Sequence, residues 1–402
     1  MPHIGNYGVN QPKIPYFILM RNKPLVFNPS DHALTLGVEL ELQVLDESTL
    51  LLTPLAKKIM DEAKITSLKK EFFQSTLELT TGVCSNVQEV QVDLQNFLSK
   101  AHESAIKLGL KISSTGTHPE ADYRDRTITP TRRYYELADH NQWLIRRMAV
   151  YGMHIHVGMP SADEAIQFNN FLLHFVPHVL ALSASSPFWQ RMDTGLAAAR
   201  PTIFESMPTC GLPYVVKDWK QFQKLYNSLI QSKSIASMKD LWWDIRPSPT
   251  YGTIELRICD EPATLQEALA IVAFVHLLAH WYFDHPKEWR AKRKTSQRWM
   301  LRENKWRAIR FGLDAQIIVQ HNKKPVKIAD DIFHWLEQFS THAKSLGYES
   351  YVEAVEEILK NGNSTQRQLE VFNRTNDLHE VTRLNVMEFE SALFKLTFSE
   401  SD

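Results

Sequence analysis

The sequence has few cysteines, and none of them form a metal-binding pair. Cys84, Cys210 and Cys259 are the three cysteines of the 402-residue chain, and no two of them stand in a Cys-x-x-Cys motif. An odd, widely spaced set of this kind indicates neither a disulfide framework nor a thiolate zinc site. The simplest interpretation is a protein of the reducing cytoplasm.

Phosphate-binding glycine loops and long apolar runs are missing as well. There is no GxxxxGK[ST] loop and no GxGxxG fingerprint, which are the signatures of P-loop and dinucleotide-binding proteins. No uninterrupted apolar run approaches the roughly 20 residues of a membrane span. The net charge of −1 gives no general attraction to nucleic acid or to a membrane surface. We therefore expect a soluble protein that acts on small molecules and holds any anionic ligand with local arginines.

One stretch, residues 36–44, alternates strictly between apolar and polar side chains. In a β-strand this pattern places Glu39 and Glu41 on the same face, roughly 6–7 Å apart. Two carboxylates at that distance repel each other unless the face is wet or a cation lies between them. Taken alone, the stretch also fits a half-exposed antiparallel strand.

The same pattern recurs in three further segments, at residues 71–81, 153–158 and 253–258. The chemically active side chains of these segments are Glu71, Glu78, His154, His156, Glu255 and Arg257. If the four segments pair in one sheet, their polar faces line a common concavity and their apolar faces rest on helices. Alternation, rather than continuous apolar runs, favours a largely antiparallel sheet with one covered face. The predicted fold class is therefore α+β.

The collected carboxylates indicate a bound cation, because they would otherwise repel one another. Oxygen ligands with one or two imidazoles suit Mg²⁺ or Mn²⁺ better than zinc. Mg²⁺ held by carboxylates usually shares its coordination with substrate phosphates, and an arginine on the same face adds a phosphate partner. This combination indicates ATP-dependent phosphoryl transfer. Each segment alone also has a structural explanation: buried strand histidines, a surface Glu255–Arg257 pair, or a solvated basic helix face at residues 287–310.

The chain is predicted to form one catalytic domain with three parts. No low-complexity linker or internal repeat divides it. The long irregular segment 186–216 is typical of a loop that covers a ligand. The predicted parts are an irregular arm at residues 1–33, a core at residues 34–315 and a helical part at residues 316–402.

The motifs resemble those of the glutamate–cysteine ligase type 2 family, in particular its bacterial carboxylate–amine ligase branch. Each motif alone is weak, but their order along the chain is quite specific. A thiol at Cys210, just before Gly211-Leu212-Pro213, departs from the branch pattern. The matching stretches are residues 37–41, 73–78, 152–158, 211–213, 243–247, 253–257 and 303–308.

The resemblance implies a fold like the catalytic domain of glutamine synthetase, with a curved antiparallel sheet and helices on its convex side. It also implies that ATP phosphorylates a carboxylate, which would be the γ-carboxylate of glutamate. An amine, for which cysteine is a candidate, then attacks the acyl phosphate to form an amide.

The resemblance also implies roles for individual residues. Arg257 resembles the γ-phosphate ligand, and Arg246 a contact to the substrate carboxylate or phosphate. Arg132 and Arg200 are expected to contact the nucleotide because of their positions in loops. The residues that resemble the magnesium ligands are Glu39, Glu41, Glu71, Glu78, His154 and Glu255.

Two other functions remain open on the sequence alone. The same carboxylates could serve a metal-dependent hydrolase of an amide or phosphate, with water as the nucleophile. A non-catalytic relative could bind nucleotide without turnover. A homodimer is possible, and no nucleic-acid or membrane partner is expected.

Overall fold

The fold is organised around a seven-stranded sheet. It is seen in a computed structural model, which describes residues 25–30, 34–286, 288, 297–320 and 323–397. Most of the predicted arm at residues 1–33 lies outside these residues, as do residues 287 and 289–296 of the basic stretch 287–310. The strands are β1 (Leu36–Asp46), β2 (Leu68–Lys70), β3 (Thr76–Thr80), β4 (Leu110–Ser113), β5 (Met153–Gly158), β6 (Phe188–Trp189), β7 (Met192–Asp193), β8 (Ile245–Ser248), β9 (Thr253–Leu256), β10 (Gln316–Ile317) and β11 (Val326–Lys327).

Helices make up most of the rest of the described chain. Four of them follow residue 316, in the part of the chain that the sequence predicted to be helical. The helices are α1 (Ala56–Ala63), α2 (Val87–Lys107), α3 (Arg132–Asn141), α4 (Trp143–Arg146), α5 (Ala162–Leu172), α6 (Val176–Ser183), α7 (Arg200–Phe204), α8 (Trp219–Gln231), α9 (Leu265–Asp284), α10 (Arg298–Phe311), α11 (Ile328–Leu346), α12 (Glu349–Asn361), α13 (Ser364–Thr375) and α14 (Leu378–Thr397).

The main sheet runs in the order β2-β3-β1-β5-β9-β8, and β4 pairs with β1 beside β5. All of these pairs are antiparallel, as the alternating pattern predicted. Strand β1 is the longest strand, and it pairs with β3 along one edge and with β5 and then β4 along the other. The chain therefore places Glu39 and Glu41 in the middle of the sheet.

The register brings the polar positions of neighbouring strands opposite one another. Glu41 lies opposite Glu78, and Glu39 lies opposite His154. One strand further, Glu255 lies opposite His156 on one side and Arg246 on the other. Cross-strand partners of this kind have neighbouring side chains on one face of the sheet.

The apolar face of the sheet packs on helices and forms the main hydrophobic core. Val38, Leu40, Leu79 and Ile155 are almost completely buried there. Helices α2, α5, α6 and α9 contribute to the same core. This core also joins residues on both sides of position 315, while the division of the chain into parts stays a prediction.

Side-chain caps explain where two of the helices begin. The Asn86 side chain accepts a hydrogen bond from the Glu89 N–H and begins α2, and Thr264 does the same for Glu267 at the start of α9. Such caps satisfy N–H groups that lack a partner in the first turn. Residues 162–183 form two helices, α5 and α6, whose axes differ by 64°, and the break between them comes just before Pro177.

Three local expectations differ from the structure. Residues 71–75 precede β3 rather than belonging to a strand, and β9 ends at Leu256, one residue before Arg257. By length and composition, α9 could cross a membrane, although 83% of its most apolar window is buried inside the protein. In the sequence this helix does not show as one long apolar run, because isolated polar residues divide its apolar residues into short runs. Its burial is that of a core helix.

Candidate active site

Glu39 and two histidines occupy the centre of the polar face. His154 Nδ1 lies 2.9 Å from Glu39 Oε2, and His156 Nε2 lies 3.7 Å from Glu39 Oε1. Burial alone would raise the pKa of Glu39, but the hydrogen bonds and charges of the two imidazoles outweigh it and hold that pKa well below its usual value. Glu39 is therefore a carboxylate at neutral pH. His156 differs from His154, because its Nδ1 is 2.8 Å from the hydroxyl of Thr253.

Glu255 lies between two arginines. Arg246 donates to its carboxylate from Nε at 2.7 Å and from Nη2 at 3.1 Å, and Arg257 donates to it from Nη1. Burial by itself would raise the pKa of Glu255, but the charges of Arg246 and Arg257 hold it well below its usual value. Glu255 is only 2% exposed. The alternative of an exposed surface pair between Glu255 and Arg257 is therefore wrong.

Three further carboxyl groups gather beside this centre. Burial raises the pKa of Glu71 to about 7, with a further contribution from the charge of Glu41. Burial also raises the pKa of Glu78 to about 8, and the charges of Glu71 and Glu39 add to the effect. The pKa of Glu41 is raised by burial as well, although Arg200 and Arg257 oppose the rise. The group thus holds protons that a divalent cation could replace.

The donor set fits a hard divalent ion. Glu39, His154 and Glu255 each offer one ligand atom, and these atoms lie within 4.8 Å of one another. Burial, together with the charge of Arg257, lowers the pKa of His154 to about 4, so its imidazole is neutral at pH 7. His154 Nε2 is buried without a hydrogen-bond partner among the described residues, 3.9 Å from Glu41 Oε1. A neutral histidine that donates from Nδ1 to a carboxylate has the tautomer of a metal ligand at Nε2.

Arg200 reaches the site from α7. Its guanidinium donates to the backbone carbonyls of Arg257 and Ile258 at 3.3 Å, and it lines a cleft that also contains Glu41 and His154. The close approach requires a glycine at position 152, because a Cβ atom there would lie 2.0 Å from Arg200 Nη2. The Gly152 N–H donates to Glu41 Oε2 at 2.6 Å.

The structure does not bring Arg132 to this group of residues. The Arg132 side chain is 64% exposed and pairs with Glu136 one helical turn away. Its neighbour Arg133 lines the cleft instead. Since successive residues of a helix point in different directions, a shift of one position moves the side chain to another surface. The nucleotide contact expected for Arg132 has no support from this placement.

The cleft has a volume of about 140 Å³ and two kinds of lining. Its polar side consists of Glu41, Glu71, Thr76, His154, Arg133, Arg200 and Arg257. Its other side, which we call the apolar wall, consists of Phe72, Phe73, Tyr134, Leu137, Ile145, Met148, Val150, Phe204 and Trp242.

Sequence reasoning missed a buried ion pair between Lys305 and Asp244, which the more exposed Glu205 joins. Lys305 Nζ is 2.6 Å from Asp244 Oδ2 and also contacts the Glu205 carboxylate, and Lys305 is only 3% exposed. The backbone carbonyl of Asp244 accepts a hydrogen bond from the Arg257 N–H at 2.7 Å. The motif at residues 303–308 contained the signal, but a lysine on a basic amphipathic stretch is usually solvated.

A second missed feature, Glu261, binds the backbone of β1 between the stretches of β1 that pair with β5 and with β4. Glu261 Oε2 accepts a hydrogen bond from the Glu41 N–H at 3.0 Å, and its Oε1 accepts from the Ser114 hydroxyl at 3.2 Å. Burial raises the pKa of Glu261 well above its usual value. No alternating pattern marks this residue, because it lies in the connection between β9 and α9.

Comparisons of the sequence with known proteins agree on one family. The model of "Glutamate-cysteine ligase family 2" matches residues 35–384. A protein of Bdellovibrio bacteriovorus with the provisional name glutamate–cysteine ligase 2 is 41% identical over 366 residues, which cover 90% of this chain and 96% of the relative. A protein of Thermobifida fusca with the same provisional name is 38% identical over 370 residues, which cover 90% and 92%.

Solved structures show the same fold at low sequence identity. The glutamate–cysteine ligase of Francisella tularensis, in complex with AMP, superposes with a TM-score of 0.64 at 12% identity and covers 92% of this chain and 93% of its own. The bifunctional glutathione synthetase of Pasteurella multocida gives 0.64 at 15% identity, over 90% of this chain and 53% of its own. The predicted fold class, an antiparallel sheet with helices as in glutamine synthetase-like ligases, is confirmed.

Proposed function

The chain belongs to glutamate–cysteine ligase family 2, an ATP-dependent carboxylate–amine ligase family, and from this premise we propose that its acid substrate is glutamate, activated at the γ-carboxylate. One observation carries the proposal: carboxylates, a neutral histidine and paired arginines converge on one face of the sheet. Those groups are suited to a triphosphate, a divalent ion and a substrate carboxylate together. The reaction would form an acyl phosphate and then an amide.

We propose Mg²⁺ as the cation, with Mn²⁺ as a substitute. Bound there, the ion would neutralise phosphate oxygens and orient the transferred group. The proposed ligands come from two adjoining sets. The first set is Glu39, His154 and Glu255, and the second is Glu41, Glu71 and Glu78. The orphaned His154 Nε2 supports the first set, and the raised carboxyl pKa values support the second.

Arg257 and Arg246 have different proposed roles. Arg257 uses one nitrogen for Glu255, and its buried Nε has no partner among the residues described. It is therefore suited to meet phosphoryl oxygens as negative charge shifts during transfer. Arg246 gives its donors to Glu255 and to the backbone carbonyls of Met238 and Leu241. This supports a positioning role for Arg246 rather than direct contact with substrate.

Arg200 is the proposed partner of a substrate carboxylate. It lines the cleft, and its Nε is buried without a partner among the described residues. A guanidinium presents donors in a planar fork that matches a carboxylate. The nucleotide contact expected from its loop position is the other role open to it.

The test is ADP release from ATP with Mg²⁺, glutamate and hydroxylamine, which traps an acyl phosphate as a hydroxamate. We expect ADP and glutamyl hydroxamate in equal amounts, and none after exhaustive chelation of metal. Glu41→Gln should lower the rate at least a hundredfold, or about 3 kcal/mol. Glu47→Gln, at the exposed turn after β1, is the matched control and should have the wild-type rate.

Two results would contradict the proposal. Metal-dependent hydrolysis of amides or phosphates without ATP would favour a hydrolase, and nucleotide binding without ADP release would favour a non-catalytic protein. Cysteine is the first amine to test, because the names of the relatives contain it. The cytoplasmic location and the homodimer stay predictions.

A further inference from the structure

Seven of the nine residues of the apolar wall belong to a hydrophobic cluster that is separate from the main core. Phe72, Leu137 and Ile145 are buried members of this cluster, and Met148 and Trp242 pack against it while half-buried. Its members come from the segment before β3, from α3 and α4, and from the loop before β8. The chain thus brings large apolar side chains to the cleft that also contains Glu41 and Glu71.

The rings of the wall are held by one another. The Phe72 ring meets the Tyr134 ring edge-on at 5.5 Å, and Trp242 meets Phe204 edge-on at 6.4 Å. The Tyr134 hydroxyl donates to the Lys70 carbonyl at 3.2 Å, which fixes that ring. Edge-to-face contacts of this kind are favourable and give a surface of defined shape. The wall is preorganised to receive an apolar group.

We propose that the amine substrate of this ligase carries a large apolar group, aromatic or branched aliphatic, that packs against the apolar wall. The inference rests on the proposed function and specifies the chemical class of the amine substrate. A protonated amine with an apolar tail matches carboxylates beside apolar side chains in both charge and polarity. The purine of ATP is separated from the transferred γ-phosphate by its ribose and two further phosphates, whereas the amine nitrogen bonds to the reacting carbon, so the amine's own tail is the apolar group held nearest to Glu41 and Glu71. A small polar side chain such as that of cysteine would cover little of the wall.

The chemical step fixes where the amine has to lie. The nitrogen lone pair attacks the carbonyl carbon of the acyl phosphate and forms the C–N bond. The C–O bond to phosphate breaks, and its electron pair leaves with the phosphate. Counted from the ammonium form, the nitrogen gives up two protons to phosphate and solvent. The head of the amine therefore lies at the polar side of the cleft, which leaves its tail to meet the wall.

The wild-type enzyme gives the first test. Cysteine, alanine, phenylalanine and phenethylamine are compared at fixed glutamate, ATP and Mg²⁺, with amide products measured by mass spectrometry. We expect kcat/KM for phenylalanine or phenethylamine to exceed that for cysteine and for alanine at least tenfold, a usual size for apolar discrimination. Equal or better use of cysteine or alanine would overturn the inference.

Hydroxylamine separates this inference from the function on which it rests. It is too small to reach the wall, so hydroxamate formation reports the acyl phosphate alone. If no hydroxamate forms, the proposed function itself fails. If hydroxamate forms but the apolar amines are not preferred, only the inference about the amine is wrong.

Substitutions in the apolar wall test whether the preference for apolar amines depends on it. Trp242→Ala and Met148→Ala should each lower the ratio of apolar amide to hydroxamate at least fivefold. Tyr134→Ala and Tyr135→Ala form a matched pair on α3, because Tyr135 is exposed and does not line the cleft. Only Tyr134→Ala should lower the ratio of apolar amide to hydroxamate. If the wall variants instead raise the KM for ATP and leave the ratio unchanged, the wall holds the nucleotide and the inference is wrong.

Discussion

Arg257 is the side chain whose replacement best separates chemistry from support of the fold. It lies one residue beyond β9 and shares Glu255 with Arg246. Lysine would keep the charge but not the planar fork. We expect Arg257→Lys to lower kcat about 30- to 1000-fold, or roughly 2–4 kcal/mol, with a smaller change in the KM for ATP. Steady-state kinetics measures both.

The melting temperature is the control for this substitution. If Arg257 only supported the fold, Arg257→Lys would have a much lower melting temperature, and its folded fraction would have a near-normal kcat. A wild-type kcat at an unchanged melting temperature would equally refute the role in phosphoryl transfer.

The two strand histidines should respond differently to replacement. His154 has a buried Nε2 without a partner among the described residues, whereas His156 Nδ1 is engaged by Thr253. We expect His154→Ala to raise the Mg²⁺ concentration for half-maximal activity about 10- to 100-fold, as for loss of a ligand or its close support. His156→Ala should raise it less. A titration of Mg²⁺ against activity decides, and the reverse order would refute the assignment.

Alternation made the site residues on strands predictable, because a strand period of two fixes which side chains share a face. Glu39, Glu41, His154 and Glu255 follow from it directly. The wall residues and Lys305 could not be found this way, since they come from helices and loops whose positions depend on tertiary packing. A position in a predicted loop did not identify the right arginine, because Arg133 lines the cleft and Arg132 does not.

At the scale of elements, Lys305 ties together the segments that carry the three arginines. From α10 it contacts Glu205 just after α7 and Asp244 just before β8, and the Asp244 carbonyl holds the Arg257 N–H. Loss of one partner from a buried ion pair typically costs about 3–5 kcal/mol, because a charge is left uncompensated. We expect Lys305→Met to lower the free energy of unfolding by about that amount and to lower kcat in the folded protein. Denaturant unfolding and kinetics measure the two effects.

A second substitution tests the cause of this loss. Lys305→Met with Asp244→Asn removes one uncompensated charge and should recover part of the stability. Lys57→Met, in an exposed pair with Asp61, should change stability by less than about 1 kcal/mol. If the double variant were no more stable than Lys305→Met alone, the charge would not be the cause.

The ends and the short members of the sheet were harder to predict than its centre. Strand β8 has four residues and contains Pro247, which weakens a strand pattern. Its place at the edge of the sheet, bonded only to β9 among the strands described, makes the proline tolerable there. By contrast, β1 has eleven residues, of which residues 36–44 alternate strictly, and the strand predicted there is confirmed.

For the whole molecule, the carboxyl groups predict how stability depends on pH. The pKa of Glu71 is about 7 and that of Glu78 about 8 in the fold, against 4.5 ordinarily. Between pH 4.5 and 8 these two groups hold more protons in the folded protein than in the unfolded chain, so their contribution to the free energy of unfolding falls as pH rises. Buried histidines such as His118 and His154, whose pKa values are lowered to about 4, act in the opposite direction below about pH 6.5. We expect the metal-free protein to melt at a lower temperature at pH 8 than at pH 7.

The bound cation should reverse this trend. At pH 8 fewer protons compete for the carboxylates, so Mn²⁺ should raise the melting temperature more at pH 8 than at pH 6. Thermal unfolding with and without chelator measures the difference. Glu78→Gln should flatten the pH dependence of the metal-free protein, and an unchanged slope in that variant would show that other groups set it.

The burial of α9 has a consequence for how the protein is made. The helix packs against α2 and also against α11 and α12, which are synthesised after it. Until those later helices leave the ribosome, one side of an almost wholly apolar helix has no cover. Nascent chains with such a surface aggregate or engage chaperones. Translation that stops before residue 328 should therefore leave a polypeptide that accumulates in inclusion bodies, even though every strand of the large sheet has been made.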